Sequence, residues 1–154
     1  MWQYLGGMTI GIFLLFTQPL LAADIKKADV LKITDGDTVL LAVDGKEIKL
    51  RLSEIDCFEN KRNLRAKWQA ETYGLTETEV LYRGEQSAVV LKKLWQSNQA
   101  FFYAKLKGKD VYRRYLGTLF IIRKDLELDV NRYMLKDGGC LPYRPKPRYW
   151  KPKQ

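Results

Sequence analysis

The chain has 154 residues, with 27 lysines and arginines against 18 aspartates and glutamates, and a net charge of +9. This length suits one domain with a modest core, and the positive charge favours a polyanionic partner such as nucleic acid, an anionic lipid or an acidic polymer. Because the sequence has no histidine and only two cysteines, it excludes Ser-His-Asp and Cys-His catalysis, histidine-ligated zinc and a Cys₄ zinc site.

The first 23 residues contain no charged side chain and include an apolar run from Met8 to Phe16. Pro19 and then Ala22-Ala23 follow, a pattern typical of a signal peptide with a small-residue cleavage site. We therefore expect residues 1–23 to be a cleaved signal peptide and the mature protein to be periplasmic or secreted, without stable membrane association. An uncleaved anchor is the alternative, although the run is short for a membrane-spanning helix and Pro19 interrupts it.

The predicted elements begin with strands over residues 25–33, 38–43 and 46–55. Asp44-Gly45 between the second and third strands is a strong two-residue hairpin signal. Residues 57–83 are polar and locally helical at best, with a capping box at Thr76-Glu79 that indicates the start of a short helix. Later elements are an amphipathic helix over 84–98, strands over 99–107 and 111–122, a second helix over 126–136 and an extended tail from Leu141.

Five strands with a helix after the third favour an α+β, mainly β fold, namely a five-stranded OB-fold barrel with two or three helices. The strands are not separated by regular helices, which argues against parallel βαβ units. We expect this domain to span residues 24–144 and a basic, aromatic tail to occupy residues 145–154. The tail can bind single strands by stacking and phosphate attraction, or it can be a flexible solubilising segment.

The most informative residues lie at the two ends of the predicted hairpin. The segment Asp35-Gly36-Asp37-Thr38 precedes one strand, and Arg51 to Glu59 ends the other. The two-residue turn places Thr38 opposite Arg51 and gathers several acids and one arginine at one rim. These residues are Asp35, Asp37, Arg51, Asp56 and Glu59.

A plain strand ladder puts Asp37 and Arg51 on opposite faces, so a bulge or a strong twist must re-aim one of them. Carboxylates bind hard metal ions, and arginine binds phosphate in a two-point grip. In a strongly basic protein this combination predicts chemistry on a phosphodiester. Each residue taken alone is also typical of an ordinary turn or strand end.

Four segments carry a family resemblance: Asp35-Gly36-Asp37-Thr38, Arg51 to Glu59, Asp110 to Gly117, and Val130-Asn131 to Leu135. They are similar, in the same order, to segments of the staphylococcal (micrococcal) nuclease, or thermonuclease, family. The resemblance covers about residues 28–144. It implies an OB-fold barrel and Ca²⁺-dependent cleavage of DNA and RNA.

The resemblance also implies roles for single residues. Asp37 and Asp56 would bind Ca²⁺ with their carboxylates, and Cys57 would give the metal its backbone carbonyl, since that group survives a change of side chain. Glu59 would position or deprotonate the attacking water, because a carboxylate can act as the base without histidine.

By the same resemblance, Arg51 and Arg114 would grip the scissile phosphate, and Tyr112 would touch a neighbouring phosphate. Arg113 replaces the family's glycine before the second arginine, which makes Arg113 a rival to Arg114. Residues 60–83 are longer than the family's loop at this place.

A disulfide between Cys57 and Cys140 is the next expectation. Export implies an oxidising compartment, and two cysteines allow one intramolecular pairing. The resemblance places the turn that carries Cys140 beside the active-site strand. Two separate thiols remain the alternative.

Taken together, these patterns predict an exported, monomeric Ca²⁺-dependent nuclease that hydrolyses phosphodiester bonds of DNA, RNA or both. The alternative is a non-catalytic OB-fold module that binds nucleic acid or a protein ligand.

Overall fold

The computed structural model describes residues 24–152, and the predicted signal peptide lies outside the described residues. The described chain forms an α+β fold, mostly sheet, with three α-helices. No helix within it is long and apolar enough to cross a membrane. The strands are β1 (Ile25–Lys27), β2 (Asp29–Ile33), β3 (Thr38–Val43), β4 (Lys46–Leu52), β5 (Ile55–Asp56), β6 (Phe102–Lys109), β7 (Tyr115–Arg123), β8 (Leu126–Asp129) and β9 (Leu141–Pro142), and the helices are α1 (Leu64–Tyr73), α2 (Glu77–Asn98) and α3 (Val130–Lys136).

Seven of these strands form one sheet with the order β1-β6-β7-β4-β3-β2, and β8 pairs with β7. The remaining two strands, β5 and β9, form a separate antiparallel pair. The ladder between β4 and β7 is parallel, whereas the other ladders of the large sheet are antiparallel. The strand pairing of the described chain is thus an open path, and the expected sheet-rich α+β class is confirmed.

The hairpin of β3 and β4 has the predicted register, with Thr38 paired to Arg51. Its turn residues Asp44 and Gly45 both have left-handed backbones, with φ of 51° and 73°. This is the conformation that a two-residue hairpin turn with matching twist requires. Alternate residues of the two strands are completely buried in the main core: Val39, Leu41, Leu50 and Leu52.

Several predicted elements have different boundaries in the structure, and three of the differences change how the chain is organised. The first strand is split at buried Ala28, because β1 pairs with β6 while β2 pairs with β3. Residues 126–129, predicted as helix, pair with β7 as a strand, and α3 begins only after Asp129 caps the N–H of Arg132. The capping box of Thr76 and Glu79 does start a helix, but that helix continues without a break to Asn98.

The largest difference is α1, a ten-residue helix in the segment that we expected to be locally helical at best. Asn63 caps its first turn by accepting the N–H of Ala66, and Gly74 ends it in a left-handed conformation. The helix packs on α2 through a second, smaller core of Phe58, Ala66, Ala70 and Val80. The segment between β5 and α2 is therefore an ordered structural unit.

A disulfide joins Cys57, directly after β5, to Cys140, directly before β9. The two Cα atoms lie 4.1 Å apart, and the bond spans 83 residues of sequence. The pairs Ile55–Pro142 and Asp56–Leu141 precede it in the ladder, so the two cysteines form the next pair in the same register. The disulfide therefore fixes the loop after Asp56 to the segment after α3.

We expect reduction of this disulfide to lower the free energy of unfolding by about 4 kcal/mol, because the bond restricts a long loop in the unfolded chain. Urea unfolding with and without reductant measures the change. The double variant Cys57→Ser with Cys140→Ser is the control and should not respond to reductant. Two titratable thiols in the denatured, unreduced protein would contradict the bond.

Candidate functional site

The structure brings the predicted rim residues Asp37, Arg51 and Asp56 together. One guanidinium nitrogen of Arg51 lies 2.6 Å from Oδ2 of Asp37, and the other lies 3.1 Å from Oδ1 of Asp56. Both carboxylates are buried, with 6% and 2% of each residue exposed. A single planar cation thus bridges two buried acids from different parts of the chain.

Asp37 lies at the end of the β3–β4 ladder, just before the first paired residue, Thr38, and its carbonyl accepts the N–H of Leu52 at 2.8 Å. Where a ladder ends, the alternation of faces along a strand no longer fixes the direction of a side chain, and the turn decides it. The Asp37 carboxylate also accepts the N–H of Cys57 at 2.7 Å and the hydroxyl of Thr38 at 3.1 Å. Asp35 accepts the N–H of Asp37 at 3.1 Å and shapes the turn that presents it.

Gly36 lets this turn lie against the disulfide. A Cβ atom added at Gly36 would lie 2.9 Å from Cβ of Cys57 and 2.6 Å from Cβ of Ser87 on α2. Real Cβ contacts are not this short. A glycine is therefore required where the turn, the disulfide and α2 meet.

Burial raises the pKa of Asp37 to about 8. The neighbouring Asp35 carboxylate adds to the rise, whereas Arg51 and the N–H of Cys57 oppose it without offsetting burial. Burial thus favours the neutral form of Asp37, whereas the ion pair with Arg51 favours the charged form.

Glu59 follows in the loop after β5, and it is half-buried. Its carboxylate accepts an amide N–H of Asn63 at 2.8 Å, and its backbone N–H donates to Gln69 at 2.9 Å. Burial is the largest influence on Glu59 and raises its pKa, with the Asp35 and Asp56 carboxylates acting in the same direction. A raised pKa makes a carboxylate a more effective base at neutral pH, because the best pKa for a general base lies close to the working pH.

Two residues of α1 complete the site, although no sequence pattern points to either of them. Gln69, which is 1% exposed, donates to Oδ2 of Asp56 at 3.3 Å and to the carbonyl of Cys57 at 3.1 Å. Arg65 donates to the same oxygen of Asp56 at 2.7 Å, and its guanidinium stacks 4.2 Å from the ring centre of Trp68. Helix α1 therefore holds the loop that carries Asp56, Cys57 and Glu59.

Arg114 and Tyr112 form a second cluster around Asp110. The guanidinium of Arg114 lies 2.8 Å from Asp110 and 5.5 Å from the ring of Tyr112, which is 77% exposed. Burial opposes ionisation of Asp110, but the hydrogen bonds and charge of Arg114 prevail and lower its pKa. Within residues 24–152, no hydrogen bond or ion pair joins this cluster to Asp37 or Asp56.

The sheet register nevertheless brings the segment before β7 close to Arg51. Arg51 pairs with Leu116 on β7, and Arg114 lies two residues before Leu116. Arg114 itself precedes β7, so the alternation of faces along that strand does not fix the direction of its side chain. Its neighbour Arg113 is exposed and has a left-handed backbone, with φ of 62°.

The chemistry of the donor set fits a hard cation at the first cluster. Asp37 and Asp56 already share one cation, the Arg51 guanidinium, and the carbonyl of Cys57 belongs to the same loop. Oxygen ligands of this kind suit Ca²⁺. Within residues 24–152, no group of three or more histidine, cysteine, aspartate or glutamate side chains is close enough to hold a metal ion.

Replacement of Gly84 by alanine tests how α2 positions this loop. A Cβ atom at Gly84 would overlap the carbonyl group of Glu59, so the helix or the loop must move. We expect Gly84→Ala to lower the free energy of unfolding by about 1–3 kcal/mol, as overpacking does. Exposed Ser97 in the same helix is the control, and Ser97→Ala should change stability by less than about 0.5 kcal/mol. A Gly84→Ala protein as stable as the parent would show that this close approach does not matter.

Comparison with known proteins gives one informative similarity. No protein-family model matches the chain. The chain is 30% identical over 119 residues to an uncharacterized protein, MJ1439, of Methanocaldococcus jannaschii. The match covers 74% of this chain and 58% of the relative, so the chain spans less than two thirds of the relative's length. The relative's description names no activity, and the function of this chain has to be inferred from its own residues.

Proposed function

We propose that this protein is a Ca²⁺-dependent nuclease of the staphylococcal nuclease family that hydrolyses phosphodiester bonds of DNA or RNA. The observation that carries the proposal is the buried cluster of Asp37, Arg51 and Asp56, with Glu59 in the adjoining loop. This cluster brings together two acids, which can hold a cation, and an arginine, which can bind phosphate. The basic charge of the chain favours a polyanionic substrate.

In this proposal the carboxylates of Asp37 and Asp56 and the carbonyl of Cys57 hold the metal. When bound, Ca²⁺ polarises the phosphate and offsets its negative charge. Arg51 would bind the phosphate, because its planar guanidinium can donate to two phosphate oxygens at once. Glu59 accepts the proton of the attacking water, and its raised pKa supports that role.

Arg114 is the proposed second phosphate grip, and Tyr112 the proposed contact to a neighbouring phosphate. The pairing of Arg51 with Leu116, two residues after Arg114, supports the first assignment. Asp110 holds the Arg114 guanidinium through Nε, which leaves the terminal nitrogens outside this ion pair. Two arginines at one phosphate can stabilise charge that grows on it during transfer.

The strand order supports the finer proposal of an OB-type barrel. The two ends of the pairing path, β1 and β2, are consecutive and separated by one residue, Ala28. One interrupted strand therefore pairs with β6 through its first half and with β3 through its second half. In a barrel of the OB type, the first strand joins the two ends of the sheet in this way. The parallel ladder of β4 and β7 is the further feature that such a topology needs.

The disulfide supports the proposal of export to the periplasm or the medium. Disulfides persist in oxidising compartments and are rare in the cytosol. The bond lies beside the proposed metal ligands, since Cys57 follows Asp56 directly. The proposed active form therefore has Cys57 and Cys140 oxidised.

A non-catalytic module that binds nucleic acid or a protein ligand is the second candidate, and one observation favours it. All four carboxylate oxygens of Asp37 and Asp56 accept hydrogen bonds or ion pairs from protein groups. A purely structural network would have this appearance. The two candidates differ in whether those acids are needed for metal-dependent cleavage.

We expect Asp37→Asn and Asp56→Asn to lower the cleavage rate of DNA and RNA with Ca²⁺ by at least about 100-fold, because each removes a charged metal ligand.

Glu59→Gln keeps the shape of the side chain but loses the basic oxygen, and should lower turnover by about 10²–10⁴-fold with little effect on DNA binding. Exposed Asp125 on the β7–β8 turn is the control, and Asp125→Asn should keep the parent's rate. Full activity of the parent in excess chelator would reject the metal-dependent reaction.

The two arginine assignments have a separate test. Arg51→Lys and Arg114→Lys keep the charge but lose the planar fork, so each should lower kcat by about 100-fold. Arg113→Lys is the matched control, because it is the same change at the exposed neighbour of Arg114, and it should leave kcat near that of the parent. If both lysine variants at 51 and 114 cleave at the parent's rate, the phosphate grip lies elsewhere.

A further inference from the structure

The last described part of the chain runs from the site along α1. Leu141 pairs with Asp56, and the N–H of Tyr143 donates to the carbonyl of Glu54 at 3.0 Å. Further on, the indole N–H of Trp150 donates to Glu71 of α1 at 3.3 Å. We call residues 143–152 the C-terminal track.

Arg65 connects the track to the proposed active site. The same terminal nitrogen of its guanidinium donates to Asp56 at 2.7 Å and to the carbonyl of Arg144 at 2.9 Å. The first residues of the track therefore lie directly beside the carboxylate that we propose as a metal ligand. A polymer that leaves the site on this side meets the track next.

The track combines positive charge with exposed rings. It contains four basic residues and no acid: Arg144, Lys146, Arg148 and Lys151. Tyr143 and Tyr149 are 56% and 87% exposed, and Lys146 lies 5.4 Å from the ring centre of Trp150. Rings for base stacking and cations for phosphates alternate along one short segment, which is the pattern that binds single-stranded nucleic acid.

The backbone of the track is already ordered for binding. Three prolines, at positions 145, 147 and 152, restrict its conformations, and the N–H of Trp150 closes a turn onto the carbonyl of Pro147 at 3.1 Å. A segment that is restricted before it binds loses less conformational entropy on binding. The contacts to Glu54, Arg65 and Glu71 have the same effect.

We propose that the C-terminal track binds a single-stranded segment of the nucleic acid beside the active site. A duplex hides the faces of its bases, whereas a single strand can stack them on Tyr143 and Tyr149. An anionic membrane is a weaker match, since membrane-surface segments need a continuous apolar face and here cations and prolines separate the rings. The inference rests on the proposed nuclease function for its substrate, but the binding surface can be tested without cleavage.

The test measures binding of a fluorescent single strand of about 16 nucleotides to the mature protein in excess chelator, where metal-dependent cleavage is prevented. The variant Tyr143→Ala with Tyr149→Ala should weaken binding by at least about fivefold, because two stacking rings are lost. Tyr143→Phe with Tyr149→Phe keeps the rings and should bind like the parent. Arg148→Ala with Lys151→Ala should weaken binding and reduce its dependence on salt.

The charge control is Lys46→Ala with Lys124→Ala, on exposed residues beside the β3–β4 and β7–β8 turns, at the strand ends away from the rim, and it should bind like the parent. The proposal is overturned if this control loses as much affinity as the track variants, or if the alanine pair at the tyrosines binds unchanged. It is also overturned if a duplex of equal length binds as tightly, or if vesicles with anionic lipid bind and the single strand does not. Hydrolysis of bis(p-nitrophenyl) phosphate by the parent with Ca²⁺ separately tests the nuclease proposal, so either idea can fail alone.

Discussion

Two buried acids, Asp37 and Asp56, are the constraint around which the rim of this protein is arranged. A carboxylate that loses its water needs hydrogen-bond donors or cations in exchange, and an uncompensated one destabilises the fold by several kcal/mol. The donors come from separate elements, namely Arg51 of β4, the backbone N–H of Cys57, and Arg65 and Gln69 of α1. Because these donors all bind the same two side chains, the β3–β4 hairpin, the loop after β5 and helix α1 are held in a fixed arrangement.

The sequence predicts the hairpin well because its signals are local. Asp44-Gly45 specifies a turn that fixes the register, and the register alone places Thr38 opposite Arg51. The contact of Arg51 with Asp37 could not be predicted in the same way, because Asp37 lies just outside the ladder and its direction depends on the turn. For a similar reason, residues 126–129 form a strand and not the predicted helix, since pairing with β7 overrides their helical pattern.

The contribution of α1 could be predicted only in part. Asn63 and Gly74 are recognisable helix signals at the two ends of a ten-residue segment, and they indicate where the helix lies. The roles of Arg65 and Gln69 had no signal in the sequence, because they depend on how α1 packs against α2 and the loop after β5. Since this helix packs on a small separate core, it lacks the broad apolar stripe by which helices are usually recognised.

The split first strand has a consequence for solubility. Ile25–Lys27 covers the free side of β6, and Asp29–Ile33 covers the free side of β3. One short segment thus protects two strand edges at once, and β3, with the sequence Thr-Val-Leu-Leu-Ala-Val, has neither charge nor proline to discourage pairing with another chain. Exposed edges of this composition are templates for aggregation. Local detachment of residues 25–33 would therefore expose two strand edges in a single step, before the rest of the domain unfolds, and the edge of β3 is the aggregation-prone one.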